Sequence, residues 1–466
     1  MAHLMISAAH KSSGKTTVSI GLCAAFRRAS RVVQPFKKGP DYIDPLWLGL
    51  AAGRSCYNLD FFTMGSEEIT SQFAHRMADA DLGIIEGNKG LYDGLDLHGS
   101  NSNAALSALL DVPVVLVLDT RGMTRGIAPL ILGYQAFDEK IHIAGVILNS
   151  VGGSRHESKL RNVIEHYTEV RVVGAVPRND LIRIEERHLG LMPSNETQAA
   201  QQHIDRIADH ISSHVDLDAL LEIAGAAPVP EASKPACYSG EEQPGPLRIA
   251  YAKDAAFGFY YPDDMESLRR AGARLVPFDT LNDKMLPEAD GLLIGGGFPE
   301  TAMDALEENR SMRASVKAFI EAGGPAYAEC GGLMYLCRSL QWKDRQSDMV
   351  GVVPADVKMH QKPRGRGYVR LCETEDHPWP GDTSLSRQVK AHEFHYSGLE
   401  NLDATQKFAY KVERGFGIDG TNDGIVYKNL LANYSHMRNV GSNHWAERFV
   451  AHVRACKNNT IGLPSL

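Results

Sequence analysis

Short apolar, β-prone runs alternate with longer stretches of helical period through the first half of the chain. The runs His3–Ser7, Arg31–Phe36, Leu82–Glu86, Val112–Asp119, Ile143–Leu148 and Val172–Val176 read as strands, and stretches such as Thr16–Arg28 and Ile127–Phe137 read as helices between them. This alternation predicts βα units and a mostly parallel sheet covered on both faces, an α/β fold. The pattern stops near Gly225. From there to Pro246, Ala227-Pro228-Val229-Pro230-Glu231-Ala232-Ser233-Lys234-Pro235 and Gly240-Glu241-Glu242-Gln243-Pro244-Gly245-Pro246 offer almost nothing to bury, which is the composition of an interdomain linker. A second α/β unit opens with the strand Leu247–Tyr251. The expected organisation is therefore a first domain over 1–224, a linker over 225–246 and a second domain over 247–466, with no internal repeat or coiled-coil heptad.

Composition sharpens this picture only at its edges. The 466 residues allow two or three domains, and 43% hydrophobic with 23% charged residues is ordinary for a soluble globular protein. A formal net charge of −8 argues against bulk nucleic-acid binding. No apolar run approaches the roughly 18 residues of a membrane span. The opening His3-Leu4-Met5-Ile6-Ser7 lacks a basic leader and reads as a first strand, so a cytoplasmic protein is expected. Seven cysteines show neither metal-site spacing nor a disulfide framework. Only Cys330 stands out.

Candidate chemistry lies in two places. Ser12-Ser13-Gly14-Lys15-Thr16-Thr17 follows the first strand and opens a helix, as a nucleotide-phosphate loop does. Gly14 lets the backbone approach phosphate, Lys15 supplies positive charge, Thr16 offers a hydroxyl to magnesium, and the helix N-terminus faces the anion. The strict pattern wants a glycine where this chain has Ala9. Glu86 and Asp119 end two strands on the edge where such sheets bind ligands, suited to Mg²⁺; helix capping is the bland alternative for Asp119. Lys37-Lys38-Gly39-Pro40-Asp41-Tyr42-Ile43-Asp44-Pro45 places two cations and two carboxylates on one loop, fit to hold an anionic substrate or simply to be solvated. In the second half, Gly295-Gly296-Gly297 follows the strand Gly291–Ile294 and can turn backbone N–H groups toward an oxyanion. Cys330, between Glu329 and Gly331-Gly332, sits on a strand–helix elbow that favours thiolate. Its base is to be sought among His436, His392 and His395. A phosphate loop joined to an elbow cysteine suggests ammonia freed at one site and used on an ATP-activated carboxylate at the other.

Together these segments resemble the glutamine-dependent cobyrinic acid a,c-diamide synthase family, which amidates acetate side chains of modified tetrapyrroles. The resemblance spans nearly the whole chain. It rests on Lys38-Gly39-Pro40-Asp41-Tyr42-Ile43-Asp44-Pro45, Asn58-Leu59-Asp60, Gly90-Leu91-Tyr92-Asp93-Gly94, Arg187-His188-Leu189-Gly190-Leu191, Asp254-Ala255-Ala256-Phe257, Gly295-Gly296-Gly297-Phe298-Pro299-Glu300, Glu329-Cys330-Gly331-Gly332-Leu333-Met334-Tyr335 and His392-Glu393-Phe394-His395-Tyr396. It implies a P-loop NTPase domain similar to dethiobiotin synthetases, followed by a class I glutamine amidotransferase domain. It implies Cys330 as nucleophile with His436 as base, and an oxyanion hole at Gly296 and Gly297. ATP would sit at Ser13, Gly14, Lys15, Thr16 and Thr17, with Asn149 near adenine and Mg²⁺ at Thr16, Asp44 and Glu86. Glutamine and a tetrapyrrole polycarboxylate are the implied substrates, the latter at Lys38, Asp41, Tyr42, Asp44, Tyr92 and Asp93.

Some residues depart from the family pattern. Met437 and Arg438 follow His436, so the His-x-Glu of commoner triads is missing, leaving a Cys–His dyad or another orienting group. Asn88-Lys89 replaces a usual hydrophobic pair after Glu86-Gly87, and His10-Lys11 makes the phosphate loop unusually basic. This wording resembles the branch that amidates sirohaem or sirohydrochlorin for dissimilatory sulfite reductase, an alternative substrate; a nickel-sirohydrochlorin is a third. A different class, a regulatory phosphate-loop ATPase carrying an inactive amidotransferase domain, would place lysine at His10 and has no use for the cysteine elbow. No nucleic-acid or membrane partner is expected. The oligomeric state stays open, with a homodimer among the outcomes.

Overall fold

The computed structural model describes residues 2–184, 186–187, 190–196, 199–228, 247–380 and 387–461. Most of the expected linker, residues 229–246, lies outside these, as do residues 188–189 of the segment 187–191 singled out above. The chain divides into two compact units, Met1–Ser239 and Gly240–Leu466.

In the first unit the order is β1 (Ala2–Ala8), α1 (Lys15–Arg28), β2 (Val33–Lys38), α2 (Ile43–Ala52), β3 (Tyr57–Leu59), α3 (Ser66–Met77), β4 (Leu82–Glu86), α4 (Asn103–Leu110), β5 (Val114–Asp119), α5 (Ile127–Phe137), β6 (Ile143–Val151), α6 (Ser154–Tyr167) and β7 (Arg171–Pro177). Two short strands paired antiparallel, β8 (Glu186–Arg187) and β9 (Gly190–Leu191), precede α7 (Ala200–Ser212) and α8 (Leu217–Gly225). The seven-stranded sheet runs β3-β2-β4-β1-β5-β6-β7, and every pairing is parallel. The alternation of apolar runs thus delivers the predicted sheet, with β1 flanked by β4 and β5. Boundaries shift by up to three residues, as where β6 runs on to Val151. Strand β2 begins at Val33, because Ser30 and Arg31 close the end of α1 by donating to the Arg27 and Phe26 carbonyls, and it continues through Lys37 and Lys38, which were expected on a loop. The edge strand β3 was not anticipated. Helices α1 and α7 pack so closely that a Cβ on Gly21 would lie 2.3 Å from Ile211 Cγ1.

The second unit contains β10 (Leu247–Ala252), β11 (Phe257–Phe259), α9 (Pro262–Arg270), β12 (Ala273–Phe278), β13 (Gly291–Ile294), β14 (Gly296–Gly297), α10 (Met303–Glu308), α11 (Arg310–Glu321), β15 (Ala326–Glu329) and α12 (Gly331–Leu336). There follow β16 (Ser339–Trp342), β17 (Arg345–Asp348), β18 (Asp356–Met359), β19 (Gly365–Glu373), β20 (Gln388–His395), β21 (Ser397–Glu400), β22 (Lys407–Arg414), β23 (Asn422–Tyr427), β24 (Leu430–Asn433) and α13 (Trp445–Ile461). A nine-stranded sheet runs β12-β10-β13-β15-β24-β23-β22-β19-β20, parallel from β12 to β24 and antiparallel beyond. The period-two alternation of strand side chains is visible in β15: Ala326 and Ala328 enter one core and Tyr327 the other. A four-stranded sheet, β17-β16-β18-β21, stands apart. Among the described residues no helix is long and apolar enough to cross a membrane.

Candidate active sites

Parallel strands end together on one edge of a sheet, and in the first unit that edge collects the charged residues. The loop after β1 turns through Ser12 (φ 62°) and Gly14 (φ 89°) before α1 starts at Lys15. Ser13 donates its hydroxyl to the His10 carbonyl (2.8 Å), and the Asn149 side chain donates to the Ser13 carbonyl (2.9 Å). A Cβ on Gly14 would meet Asn149 Nδ2 at 2.1 Å, so only glycine fits beneath that amide. Asn149 thus braces the phosphate loop itself. Thr17 lies in the first turn of α1.

Beside the loop, Thr16 donates its hydroxyl to Glu86 (2.6 Å) and lies 3.4 Å from Asp44 Oδ2. Lys37, only 3% exposed, completes the cluster, its Nζ 2.5 Å from Asp44, 2.9 Å from Glu86 and 3.7 Å from Asp41. Lys37 and Glu86 are register partners on β2 and β4, which explains how a lysine can be buried at a strand end. Burial pushes Glu86 up and outweighs the pull of Lys37; for Asp44 burial also pushes up, but the Lys37 ammonium and the Thr16 hydroxyl hold it below the usual range. Asp41 is pushed up to about 7 by burial and by Asp44. Burial lowers Lys15 to about 8, with Lys37 adding to the effect.

The remaining expected residues surround this cluster. Lys38 is buried, lowered to about 8 by desolvation, and donates to the Asn88 side chain (3.2 Å). Asn58 on β3 ties down the turn by donating to the Gly39 and Asp41 carbonyls, and Tyr42 is buried at the start of α2. Asn103, fully buried, holds the loop after Glu86 by donating to the Asn88 and Gly90 carbonyls. Asp93 accepts the Gly90 N–H (2.9 Å), and Tyr92 donates to the Tyr134 carbonyl (2.6 Å). Asp119, expected as a further metal-side carboxylate, is instead gripped by Arg121 through three side-chain hydrogen bonds.

Thr16, Asp44 and Glu86 fit a magnesium ion. The second carboxylate oxygen of Glu86 is buried without a protein donor, and a hydroxyl with two carboxylates suits an ion that completes its shell with phosphate oxygens and water. Among the described residues no group of three or more His, Cys, Asp or Glu would hold a metal alone.

In the second unit β15 and β24 lie side by side in parallel, Glu329 opposite Asn433, so the residues that follow each strand emerge together. Cys330 follows β15 at φ 46° and ψ −100°, a strained conformation for a non-glycine residue, and its N–H is fixed by the Asn433 carbonyl (2.7 Å). Glycines make the elbow possible: a Cβ on Gly332 would lie 2.1 Å from the Ile294 carbonyl oxygen, and one on Gly331 would crowd the Gly297 backbone at 2.9 Å. Gly296 and Gly297 form the short strand β14 against β11, and Gly296 leaves room for a side chain: its Cβ would fall 2.6 Å from His436 Cε1.

That side chain decides between the three candidate histidines. His436 follows β24; Asp423 positions its approach by accepting the Tyr434 and Ser435 N–H groups. Its imidazole interacts with Cys330, and although burial lowers its pKa, Cys330 and Glu329 raise it to about 10. His392 stacks flat on His436 (centroids 5.0 Å, 18°) and is itself held well below its usual range by burial and by His436. His395 stacks on Tyr434 and hydrogen-bonds the Ser397 carbonyl. The sequence reading missed two participants. Lys37 was noticed only as one of two loop cations, and Glu329, whose carboxylate lies 3.5 Å from His436 Nδ1, only as a motif neighbour.

A phosphate loop with a convergent cation–carboxylate cluster, and an elbow cysteine with its imidazole, place the protein among ligases that draw nitrogen from glutamine. Residues 4–191 match the CobQ/CobB/MinD/ParA nucleotide binding domain, and residues 248–443 match the CobB/CobQ-like glutamine amidotransferase domain. The chain is 46% identical over 451 residues to the cobyrinate a,c-diamide synthase of Magnetococcus marinus, covering 95% of each. It is 40% identical over 453 residues to that of Archaeoglobus fulgidus (96% of each), and 39% over 443 residues to that of Listeria innocua (94% of this chain, 96% of the relative). The chain belongs to the cobyrinate a,c-diamide synthase family and is a carbon–nitrogen ligase with glutamine as amido-nitrogen donor.

Proposed function

We propose that the protein amidates the a and c acetate carboxylates of cobyrinate, using ATP and glutamine. The reading is supported by the convergence of Thr16, Lys37, Asp44 and Glu86 beside a phosphate loop in a chain that also carries the Cys330–His436 elbow. A carboxylate at neutral pH is a poor electrophile. A carboxylate oxygen of the substrate therefore attacks the γ-phosphorus of ATP, ADP leaves, and an acyl phosphate forms. Lys15 and the phosphate-loop amides stabilise the transferring group, since this chemistry needs positioning and electrostatics more than covalent help. Thr16, Asp44 and Glu86 would hold magnesium, which when bound neutralises phosphate charge. Lys38, Asp41, Tyr42, Tyr92 and Asp93 form the substrate side, and Asn149 keeps the loop in its phosphate-binding shape.

At the other site the Cys330 thiolate attacks the side-chain amide carbon of glutamine, with its proton held on His436. The tetrahedral oxyanion rests on backbone N–H groups of the Gly296-Gly297 segment. The imidazolium gives its proton to the departing nitrogen, ammonia leaves, and water hydrolyses the thioester to glutamate. Ammonia attacks the acyl phosphate carbon, phosphate departs, and a primary amide remains.

Mass spectrometry of cobyrinate incubated with the full chain, ATP, Mg²⁺ and glutamine tests this. Two successive exchanges of hydroxyl for amino group are expected, each consuming one glutamine. The bond from Lys38 to Asn88, at a position where the family usually carries an apolar residue, favours a second reading in which sirohydrochlorin or sirohaem takes the site. Amidation of that macrocycle with cobyrinate untouched would replace the first reading.

A further inference from the structure

Imidazole bases of cysteine and serine nucleophiles work best when their far nitrogen is held by an acceptor, which fixes tautomer and ring orientation. Two residues after His436, where commoner amidotransferases carry glutamate, this chain has Arg438. Its guanidinium turns away, 2.7 Å from Asp263 and over the Tyr261 ring. The Met437 N–H between them donates to Glu329 (2.8 Å). Glu329 is therefore bound to the histidine's own loop, although it belongs to the strand that delivers the nucleophile.

The carboxylate is held with little freedom. Its Oε1 accepts both the Met437 N–H and the Tyr327 hydroxyl (2.5 Å), which leaves Oε2 to face His436 Nδ1 at 3.5 Å; both side chains are almost completely buried. Consecutive strand residues normally point to opposite faces. The strained backbone at Cys330 breaks that alternation and lets neighbouring side chains, Glu329 and Cys330, reach the same imidazole. Three other described groups near His436 are engaged differently. His392 lies face to face with it, Asp423 spends its oxygens on the Gly424, Tyr434 and Ser435 N–H groups, and Arg438 is paired with Asp263.

We propose that Glu329 is the positioning residue of the glutaminase site, holding His436 through Nδ1 in place of the carboxylate that usually follows the histidine. This rests on the reading of Cys330 and His436 as the glutamine-cleaving pair. It deepens that reading by making the residue before the nucleophile the third member of a Glu–His–Cys relay.

Glu329→Gln keeps the shape and the acceptor for Tyr327 and Met437 but removes the charge. In the full-length enzyme it is expected to lower glutamine-driven kcat by roughly 10²–10³-fold, with the KM for glutamine changed by less than about threefold. The inflection in the rate of Cys330 alkylation by iodoacetamide should move up by about one pH unit or more, because a nearby anion no longer favours the imidazolium that accompanies the thiolate. Ammonia-driven amidation, carried out at the other site, reports that the protein is folded. Glu329→Asp should recover part of kcat and of the alkylation profile. Should Glu329→Gln fail to fold, Tyr327→Phe removes one of the two bonds on Oε1 and should produce a smaller shift in the same direction. Wild-type kcat and an unmoved alkylation profile in whichever variant folds would overturn the role of Glu329. Glutaminase activity surviving in Cys330→Ser would instead overturn the underlying site.

Discussion

Replacing Lys37 by methionine keeps the length of the side chain and removes its charge from among Asp41, Asp44 and Glu86. At an effective dielectric near 20, a unit charge pair 2.9 Å apart, the Lys37–Glu86 separation, is worth about 6 kcal/mol before desolvation is counted. Removing one partner of a buried pair costs about 3–5 kcal/mol, because the other is stranded. Here the stranded carboxylates have an escape: they can take up protons. Glu86 is already raised by burial and Asp41 to about 7. In the variant they and Asp44, deprived of its ammonium, would titrate above their unfolded values. The folded state then binds more protons than the unfolded one, so stability falls as pH rises. The expected loss is therefore about 3–5 kcal/mol at pH near 8.5 and clearly less near pH 6. Hydrogen exchange of peptides covering β2 and β4 reads this locally. At about 1.4 kcal/mol per decade, exchange should quicken roughly 10²–10⁴-fold relative to wild type at the higher pH. The emission of Trp47, buried in α2, should report the same loss in urea. Added Mg²⁺ should stabilise the variant more than the wild type, since an ion would occupy charge that Lys37 otherwise supplies. Exchange within about threefold of wild type, or a loss equal at both pH values, would refute the reasoning.

Three further outcomes are expected. Cys330→Ser should lose glutamine-driven ADP release by about 10³-fold or more while ammonium-driven release stays within about twofold, measured in one coupled assay. Gly296→Ala puts a Cβ 2.6 Å from His436 Cε1, and misplacing the base should cost about 10–100-fold in glutamine-driven kcat with ammonium-driven turnover retained. In the second unit burial lowers His377 to about 4 and His392 well below its usual range. A histidine depressed on folding contributes stability that is complete above its unfolded pKa near 6.5 and is lost as pH falls toward the folded value. Urea midpoints reporting on this unit should therefore drop between pH 6.5 and 4, His377 alone accounting for about 2–3 kcal/mol, and His377→Gln should flatten that slope.

What could be read along the chain was whatever is written contiguously. The phosphate loop, the acid closing the apolar run Leu82–Glu86, the glycine segment and the cysteine elbow each occupy a few neighbouring residues, and each stands at the expected end of a parallel strand. Lys37 was harder, because two consecutive lysines read as the start of a loop. Both are strand residues: Lys37 faces Glu86, its register partner on β4, which supplies the counter-charge, and Lys38 pairs with Leu59 on β3 and reaches the Asn88 side chain. The edge strand Tyr57–Leu59 is too short to show a period, yet Asn58 on it pins the Gly39–Asp41 turn. The antiparallel extension β23-β22-β19-β20 likewise depends on one pairing, β19 with β22, between strands that are not neighbours along the chain.

Glu329 shows the same limit at the level of mechanism. A search for the partner of His436 along the sequence inspects the residues that follow it and finds methionine and arginine. The sheet instead sets β24 beside β15, so the residues that follow one strand meet those that end the other. An acceptor at Nδ1 need only lie within reach of the ring, and any element that borders the elbow can supply it. In this chain the strand that presents the thiol also presents the carboxylate, and Met437, standing where the loop would lead to a conventional glutamate, gives its N–H to that same carboxylate. On the proposal made for Glu329, the absence of His-x-Glu is a change in which element carries the acid that faces His436 Nδ1, here at 3.5 Å.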